Sequence, residues 1–208
     1  MIPHASELVT IRHFGICDYE PIWRGMQQFT QHRQAFDRDE IWVLEHYPIY
    51  TLGLAGKREH LLKLTDIPVL QSDRGGQVTY HGPGQLIIYT LLDVQRLQLT
   101  IRQLVTHLEQ AIIHSLASYD IIATAKPEAP GVYVNGKKIG SIGLRIKNHC
   151  CYHGISLNNQ MDLRPFSHIN PCGYSGLEMT QLADLGVIIP LHALAAAVVS
   201  AITTALYP

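Results

Sequence analysis

Cys172 lies between a proline and a glycine in the stretch INPCGYSG, residues 169–176, which has almost no charge. A buried cysteine is usually found in the apolar run of a strand or helix, where it behaves as a small hydrophobic side chain. The neighbouring proline and glycine instead predict a turn. A thiol at a turn is a candidate nucleophile, but an inert turn has the same residue types, and this stretch alone does not decide between the two.

A cysteine nucleophile needs a nearby cation, because a free thiol with a pKa of about 8.5 is only about 3% ionised at pH 7. Lowering that pKa to about 7 requires roughly 2 kcal/mol and makes half of the thiol nucleophilic. A lysine supplies such a charge and, once neutral, accepts the proton of an attacking amine. The candidates are Lys137 and Lys138 in GVYVNGKKIGSIGLRI, residues 131–146, and their spacing does not choose between them.

A glycine-rich segment, RGGQVTYHGPGQ at residues 74–85, combines four glycines with an arginine, a tyrosine and a histidine. Glycines let the main chain approach a ligand and leave N–H groups free to bind a carbonyl or an anion. We expect a substrate-lining loop, and the alternative is a tight connection whose glycines supply unusual φ angles. His81 and His153 are singled out because each lies beside a glycine, with backbone support as their alternative role.

The residue patterns argue against phosphate and metal chemistry. Residues 131–137 fit GxxxxGK formally, but Lys138 follows where a serine or threonine should bind magnesium, and the intervening VYV is typical of a strand. The twelve histidines, from His4 to His192, form no HExxH or HxH, and the four cysteines form no CxxC. We therefore expect no metal, cofactor or ATP, so that any transferred group arrives already activated.

Length and composition predict a single domain that covers residues 1–208. The chain is 47% hydrophobic, which is enough for a large core, and it contains no repeat or linker. Its 16 basic and 17 acidic residues give a net charge of -1, which argues against a nucleic-acid partner. We find no secretory leader in the first 15 residues, and residues 190–207 are too short and too polar for a membrane span, so a cytoplasmic protein is expected.

The elements that must position the candidate residues are strands in the middle of the chain. Four apolar, β-branched runs predict strands at residues 11–16, 41–46, 85–92 and 153–158, the third of them central in its sheet. Asn135 and Gly136 predict a type I′ hairpin. Because side chains alternate along a strand, only one of Lys137 and Lys138 can face the interior.

Helices are predicted at the flanks, and a loop rich in Gly53, Gly56 and Pro68 is predicted before residue 85. Asp18 is a candidate cap for a helix, and Thr100 and Gln103 match a capping box. The apolar face of the second helix is predicted to comprise Ile101, Leu104, Val105, Leu108, Ile112 and Leu116. Two closing helices are predicted at residues 177–185 and 190–206. This order favours an α+β or mixed α/β sheet over a regular parallel βαβ series.

Four stretches together resemble one known family, the lipoyl(octanoyl) transferases, also called lipoate-protein ligase B. They are RGGQVTYHGPGQ (74–85), APGVYVNGKKIGSIGLRI (129–146), HGISLN (153–158) and MDLRPFSHINPCGYSGLEMTQL (161–182), and GKREHLL (56–62) is a weaker match. The stretches follow the family's order along the chain. On these motifs the chain is identified as a member of that family.

The resemblance implies the fold of the biotin and lipoate protein ligases, a mixed β-sheet flanked by helices. It also implies an acyltransferase that moves an octanoyl group from octanoyl-acyl carrier protein to a lysine of a lipoyl domain, the first step of endogenous protein lipoylation. The acceptors implied are the E2 subunits of 2-oxoacid dehydrogenases and the glycine cleavage H protein. Because the donor is a thioester, such a reaction needs no ATP.

The resemblance also assigns residues. The cysteine of the family's PCG motif, which carries an acyl thioester, corresponds to Cys172, and the lysine that lowers the thiol pKa corresponds to Lys138. Gly140 departs from the family, in which we expect Ala or Cys, and this change is expected to loosen the strand that holds Lys138. The substrate-lining positions correspond to Arg74, Gly75, Gly76, Gln77, Val78, Thr79, Tyr80, His81, Ser141, Ile142, Gly143, Gly154, Ile155 and Ser156.

From these residues we expect a ping-pong acyl transfer. Main-chain N–H groups near residues 141–143 or 75–76 would stabilise the oxyanion, and Tyr80 and His81 would shape an acyl tunnel. Two other interpretations stay open. One is an ATP-dependent lipoate ligase of the same fold, which would not need Cys172. The other is a non-catalytic acyl-binding or carrier-docking module in which Cys172 is structural.

Overall fold

A mixed seven-stranded sheet is the largest element of the protein, whose structure is a computed structural model that describes residues 8–207. The sheet has the order β1-β2-β6-β10-β9-β8-β7, and a separate three-stranded sheet has the order β4-β3-β5. The strands are β1 (Val9–Cys17), β2 (Asp39–His46), β3 (Ile49–Leu52), β4 (Val69–Gln71), β5 (Val78–His81), β6 (Gln85–Asp93), β7 (Thr124–Ala125), β8 (Val132–Val134), β9 (Lys137–Lys147) and β10 (Cys150–Asn158). The start of the segment in which we looked for a leader, residues 1–7, lies outside the described part.

Three helices cover the two faces of the large sheet: α1 (Tyr19–His32), α2 (Ile101–Ala117) and α3 (Leu191–Leu206). In this sheet β1 and β2 are parallel, whereas the other neighbouring strands pair antiparallel. The mixed sheet with flanking helices confirms the expected fold class, and β6 is an interior strand as predicted.

Side-chain alternation along the strands gives the sheet two apolar faces. Ile41 and Val43 of β2 belong to a core that includes α2 and α3, through residues such as Leu108 and Val198. Trp42 and Leu44 point to the opposite face, where Ile22 and Met26 of α1 cover them. Each fully buried aliphatic side chain contributes about 1.5–3 kcal/mol, so both helical layers hold the sheet firmly.

Local sequence signals near the site are confirmed. Thr100 Oγ1 accepts from the Gln103 N–H at 3.3 Å, and Gln103 Oε1 accepts from the Thr100 N–H at 2.9 Å, which is the predicted capping box at the start of α2. Asn135 and Gly136 have φ angles of 50° and 82°, as a type I′ turn requires. The hairpin therefore presents β9 to the interior with a defined register.

The predicted helix at residues 177–185 is wrong. This segment is extended beside β9 for its first residues, where the Lys138 N–H donates to the Glu178 carbonyl at 2.8 Å and the Thr180 N–H donates to the Lys138 carbonyl at 2.9 Å. Only a short 3-10 helix, Ala183–Leu185, follows. Lys138 lies beyond Gly140, where the pairing of β9 with β10 ends, and hydrogen bonding to this part of β9 outweighs the local helical pattern here.

The predicted loops around the site are also partly wrong. Residues 49–71 contain β3 and β4, and the glycine-rich segment contains β5, which pairs antiparallel with β3. The C-terminal helix α3 is confirmed, and its buried face packs against the core. No helix within residues 8–207 combines the length and the apolar character needed to cross a bilayer.

Candidate active site

A cavity of about 380 Å³ lies between β9, β10, the 74–81 segment and the start of α2. It is lined by all of the sequence-predicted site residues except Tyr80: Arg74, Gly75, Gly76, Gln77, Val78, Thr79, His81, Lys138, Ser141, Ile142, Gly143, Gly154, Ile155, Ser156 and Cys172. The ring of Tyr80 instead packs against Tyr50 and Phe166, at centroid distances of 5.6 and 5.5 Å. Tyr80 therefore supports the small sheet and does not line the cavity.

Cys172 lies in the short 3-10 turn Pro171–Gly173, with a φ of 56° and a ψ of 16°. Residues other than glycine rarely adopt this left-handed conformation, so neighbouring contacts must hold it. The Gly173 N–H donates to the Asn170 carbonyl at 2.9 Å, and the Asn170 N–H donates to the His60 carbonyl at 2.9 Å. These bonds fix a partly exposed thiol at the cavity wall.

Lys138 points from β9 to this thiol. Its Nζ donates to Cys172 Sγ at 3.3 Å and to the Pro130 carbonyl at 2.8 Å, and it lies 5.4 Å from the centre of the Tyr133 ring. The residue is 1% exposed. The buried ammonium is therefore placed directly against the Cys172 thiol.

Lys137 has the opposite orientation, as the predicted alternation requires. Its side chain is 51% exposed and pairs with Glu178 at 2.6 Å. The backbone of β9 therefore distinguishes the two lysines, and Lys138 is the one placed beside Cys172.

Arg74 supplies a second buried positive charge. Its guanidinium donates to Thr51 Oγ1 and to the carbonyls of Thr51, Gln77 and Gly75, over distances of 2.6 to 3.0 Å. All of these acceptors are neutral oxygens. Burial lowers the pKa of Arg74, and the nearby groups of Tyr19 and Cys172 oppose this effect. The guanidinium fixes the backbone of residues 74–77 and makes the cavity favourable for an anion.

The main-chain N–H groups that are free to bind an oxyanion are only partly those predicted from the sequence. The Gly75 N–H donates to the Leu144 carbonyl at 2.8 Å, so it cannot also bind an oxyanion, and its expected role is wrong. Within the described part of the chain, the N–H groups of Gly76, Gln77 and Cys172 have no hydrogen-bond partner. Gln77 lies next to the thiol-bearing turn, since a Cβ on Gly173 would be 2.9 Å from Gln77 Cγ. These three N–H groups are candidate oxyanion donors.

The two histidines singled out from the sequence are hydrogen-bonded in the wall of the cavity. His81 Nδ1 contacts Gln85 Oε1 at 2.7 Å, and burial, with a smaller contribution from His46, lowers the pKa of His81 to about 3. His153 Nε2 contacts Asp73 Oδ1 at 2.8 Å, and burial lowers the pKa of His153 despite that carboxylate. Both rings are therefore neutral at pH 7.

The described residues contain no group of three His, Cys, Asp or Glu side chains arranged to hold a metal ion. The carboxylate of Asp73, for example, accepts hydrogen bonds from neighbouring side chains. Burial alone would raise the pKa of Asp73, but hydrogen bonds from His153, Tyr152, Gln27 and Trp23 outweigh it and lower that pKa far below its usual range. The carboxylate is thus a structural anchor for α1 and β10.

Several apolar lining residues were missed from the sequence. Ile101 was placed in the core face of α2, but it is 53% exposed, and with Val105 it lines the cavity. An i, i+4 apolar pair at the first turn of a helix is the sequence signal that could have identified them. The other lining residues not predicted are Tyr19, Ile87, Tyr89, Ala129, Pro130, Leu144 and Tyr174.

Sequence comparisons show strong similarity to one group of proteins. Residues 18–203 match the family model of the lipoyl protein ligase A/B catalytic domain. An octanoyltransferase of Laribacter hongkongensis is 59% identical over 177 residues, which are 85% of this chain and 86% of that relative. An octanoyltransferase of Vibrio cholerae is 58% identical over 175 residues, 84% of this chain and 81% of the relative.

Solved structures with the same fold have much lower sequence identity. A lipoate-protein ligase A bound with ATP has a TM-score of 0.76 at 13% identity, covering 95% of this chain and 84% of that one. A biotin protein ligase from Aquifex aeolicus has a TM-score of 0.58 at 13% identity, covering 95% of this chain and 68% of that one. At such identities the likeness shows the fold alone.

Proposed function

The chain belongs to the lipoyl protein ligase A/B catalytic domain family, and we propose that it is an octanoyltransferase that acts through an acyl thioester on Cys172. The observation that carries the proposal is the 3.3 Å contact between Lys138 Nζ and Cys172 Sγ inside the cavity. The donor is octanoyl-acyl carrier protein. The acceptor is a lysine of a lipoyl domain, such as that of a 2-oxoacid dehydrogenase E2 subunit or of the glycine cleavage H protein.

In the first half-reaction the Cys172 thiolate attacks the octanoyl thioester. The N–H groups of Gln77 and Cys172 stabilise the oxyanion of the tetrahedral intermediate, and the buried charge of Arg74 favours it further. The bond from the octanoyl carbon to the carrier sulfur then breaks, and the Lys138 ammonium gives its proton to the leaving thiolate. Octanoyl-Cys172, a neutral Lys138 and the free carrier thiol result.

In the second half-reaction the neutral amine of the acceptor lysine attacks octanoyl-Cys172. Lys138, now without a thiolate partner and without its proton, accepts the proton that the amine loses. The amide forms, and Cys172 leaves as the thiolate beside the regenerated ammonium. One lysine thereby serves both steps, and no ATP is consumed.

The ATP-dependent ligase and the non-catalytic module are the alternatives. Neither needs a buried lysine placed against a thiol, whereas the proposed transferase needs this pair. The lipoate-protein ligase A is only 13% identical to this chain, so the similarity between them extends to the fold and does not indicate the same chemistry. The Cys172–Lys138 pair therefore favours the transferase.

Intact-mass measurement after incubation with octanoyl-acyl carrier protein tests the proposal. We expect one octanoyl adduct on Cys172, its absence in Cys172→Ser, and its persistence in Cys150→Ser. An adduct on Cys150 or Cys17, or no adduct, would refute the role of Cys172. Octanoylation of a lipoyl domain that requires free octanoate and ATP and persists in Cys172→Ser would favour the ligase.

A further inference from the structure

The peptide group between Pro130 and Gly131 lies between Lys138 and Glu109, and both of its polar atoms are used. Its carbonyl accepts from Lys138 Nζ at 2.8 Å. Its N–H donates to Glu109 Oε1 at 2.9 Å. One peptide thus links an ammonium to a carboxylate, and its dipole is oriented so that each charge strengthens the hydrogen bond of the other.

Glu109 is a buried carboxylate for which the acyl-transfer steps above have no role. It lies on α2 and is 8% exposed, although charged residues are rarely buried to this extent without a partner. Burial raises the pKa of Glu109, while the Gly131 N–H and the charge of Lys138 oppose that rise. The carboxylate and the ammonium therefore stabilise each other across the intervening peptide.

Gly131 makes this arrangement possible through a close approach. Its φ is 135°, and a Cβ at this position would be 2.4 Å from Lys138 Cε and 2.7 Å from the Gly140 carbonyl oxygen. The backbone of Gly131 is therefore in contact with the end of the Lys138 side chain. Whatever holds the Gly131 N–H in place also sets the position of the ammonium.

We propose that Glu109 is a positioning residue for Lys138, which acts through the Pro130–Gly131 peptide to aim the ammonium at Cys172 and to keep it charged. The effect of Glu109 on catalysis rests on the proposed function, whereas the hydrogen-bonded connection from Glu109 to Lys138 does not. Among residues 8–207, the titratable or charged groups around the ammonium and its partner thiol include Cys172 from the 171–173 turn, Tyr133 from β8, Glu109 from α2 and Arg74 beyond Cys172. Of these, Glu109 is the carboxylate.

The charge effect is tested by titrating Lys138 with NMR in protein labelled at lysine with ¹³C and ¹⁵N, its signal assigned with Lys138→Met. Glu109→Gln keeps an acceptor for the Gly131 N–H but removes the charge. We expect the pH at which the Lys138 ammonium loses its proton to fall by about one to two units in this variant. Glu20→Gln, which removes a surface charge that pairs with Arg24, should leave the titration unchanged. Equal titrations in Glu109→Gln and the parent would overturn the charge effect.

The positioning effect is tested by the rate at which iodoacetamide alkylates Cys172 at pH 7. Glu109→Ala and Glu109→Gln both lack the charge, but only the alanine variant lacks the acceptor that holds Gly131. We expect Glu109→Ala to react about tenfold more slowly than Glu109→Gln, because its ammonium is no longer held against the thiol. Equal rates in the two variants would overturn the positioning role.

Neither measurement uses an acyl substrate, so both separate this proposal from the proposed function. A parent protein that forms no octanoyl adduct would refute the acyl-transfer function, while the titration and alkylation results would still stand. Thermal unfolding of each variant reports its folding. If Glu109→Ala does not fold, the titration of Glu109→Gln decides the proposal.

Discussion

Lys138 Nζ lies 3.3 Å from Cys172 Sγ, although the two residues are 34 positions apart in the chain. The hairpin turn and the alternation of β9 bring Lys138 to the interior, and the Pro171–Gly173 turn brings Cys172 to it. Two main-chain hydrogen bonds, from the Lys138 N–H to the Glu178 carbonyl and from the Thr180 N–H to the Lys138 carbonyl, hold the chain that follows this turn against β9. The pair is therefore built by long-range contacts that a substitution can test one at a time.

Replacement of Lys138 by Met should shift the pH profile of Cys172 alkylation to higher pH by about one unit or more. In the proposed mechanism the ammonium stabilises the thiolate, and the apolar side chain removes that charge, so the rate at pH 7 should fall at least about tenfold. The measurement is the rate of reaction with iodoacetamide between pH 5 and 10. Lys137→Met is the matched control and should leave the profile unchanged, since its ammonium faces solvent and pairs with Glu178. An unshifted profile in Lys138→Met would remove the activating role of this lysine.

Gly131→Ala should greatly reduce acylation of Cys172. The added methyl would come within 2.4 Å of Lys138 Cε and would displace the side chain from the thiol. Gly176→Ala is the control because Gly176 also has a positive φ, of 73°, but nothing lies within 4 Å of its Cβ position. We expect a rate loss of about a hundredfold in Gly131→Ala and little loss in Gly176→Ala. Similar losses in both would assign the effect to backbone strain.

His81 should make the protein less stable in acid. Its folded-state pKa is lowered to about 3 from 6.5, mainly by burial, so the unfolded chain binds a proton that the folded chain does not. The associated stability is fully present above pH 6.5 and is lost as the pH falls toward 3. At pH 4.5 the loss amounts to about 2 to 3 kcal/mol.

Urea unfolding at pH 7 and pH 4.5 checks this dependence. His81→Asn should reduce the difference in unfolding free energy between the two pH values by about 2 kcal/mol, because its side chain does not titrate. His13→Asn replaces an exposed histidine of β1 and should leave the difference as in the parent. A difference that His81→Asn leaves unchanged would contradict the buried neutral state of this ring.

Acyl chain length should affect the rate gradually. The cavity wall contains apolar side chains such as Ile101, Val105, Ile142 and Ile155, and each methylene that enters it contributes about 0.8 kcal/mol. Acylation rates with hexanoyl and octanoyl thioesters should therefore differ by about fourfold per methylene. Single-turnover mass spectrometry measures them. Equal rates for six and eight carbons would mean that the chain does not enter this cavity.

Two local signals in the sequence predicted local structure correctly, whereas Asp18 precedes α1 without the side-chain hydrogen bond of a cap. The capping box at Thr100 and the turn at Asn135–Gly136 depend on neighbouring residues, and both formed as predicted. The helix predicted at residues 177–185 failed because β9, a distant strand, provides hydrogen bonds that the segment's own sequence does not reveal. The short strands β3 to β5 were missed for the same reason.

In the candidate site, too, residue types and motifs were informative, whereas contacts between distant segments were not predicted. Residue types identified Cys172 and the lysine pair, and family motifs identified most of the cavity wall. The burial of Lys138, the commitment of the Gly75 N–H to Leu144 and the link from Glu109 to Lys138 are set by packing between β9, α2 and two loops. The spacing of residues within one segment does not predict contacts of that segment with distant parts of the chain.

The most direct test of the account uses the acyl-enzyme itself. The protein is acylated with octanoyl-acyl carrier protein, freed of donor by gel filtration, and mixed with a lipoyl domain in the absence of ATP. We predict that the octanoyl group leaves Cys172 as an equal amount of octanoyl-lysine forms on the lipoyl domain, both followed by intact mass. An adduct that stays on Cys172, or that hydrolyses while the lipoyl domain remains unmodified, would contradict a transfer through Cys172.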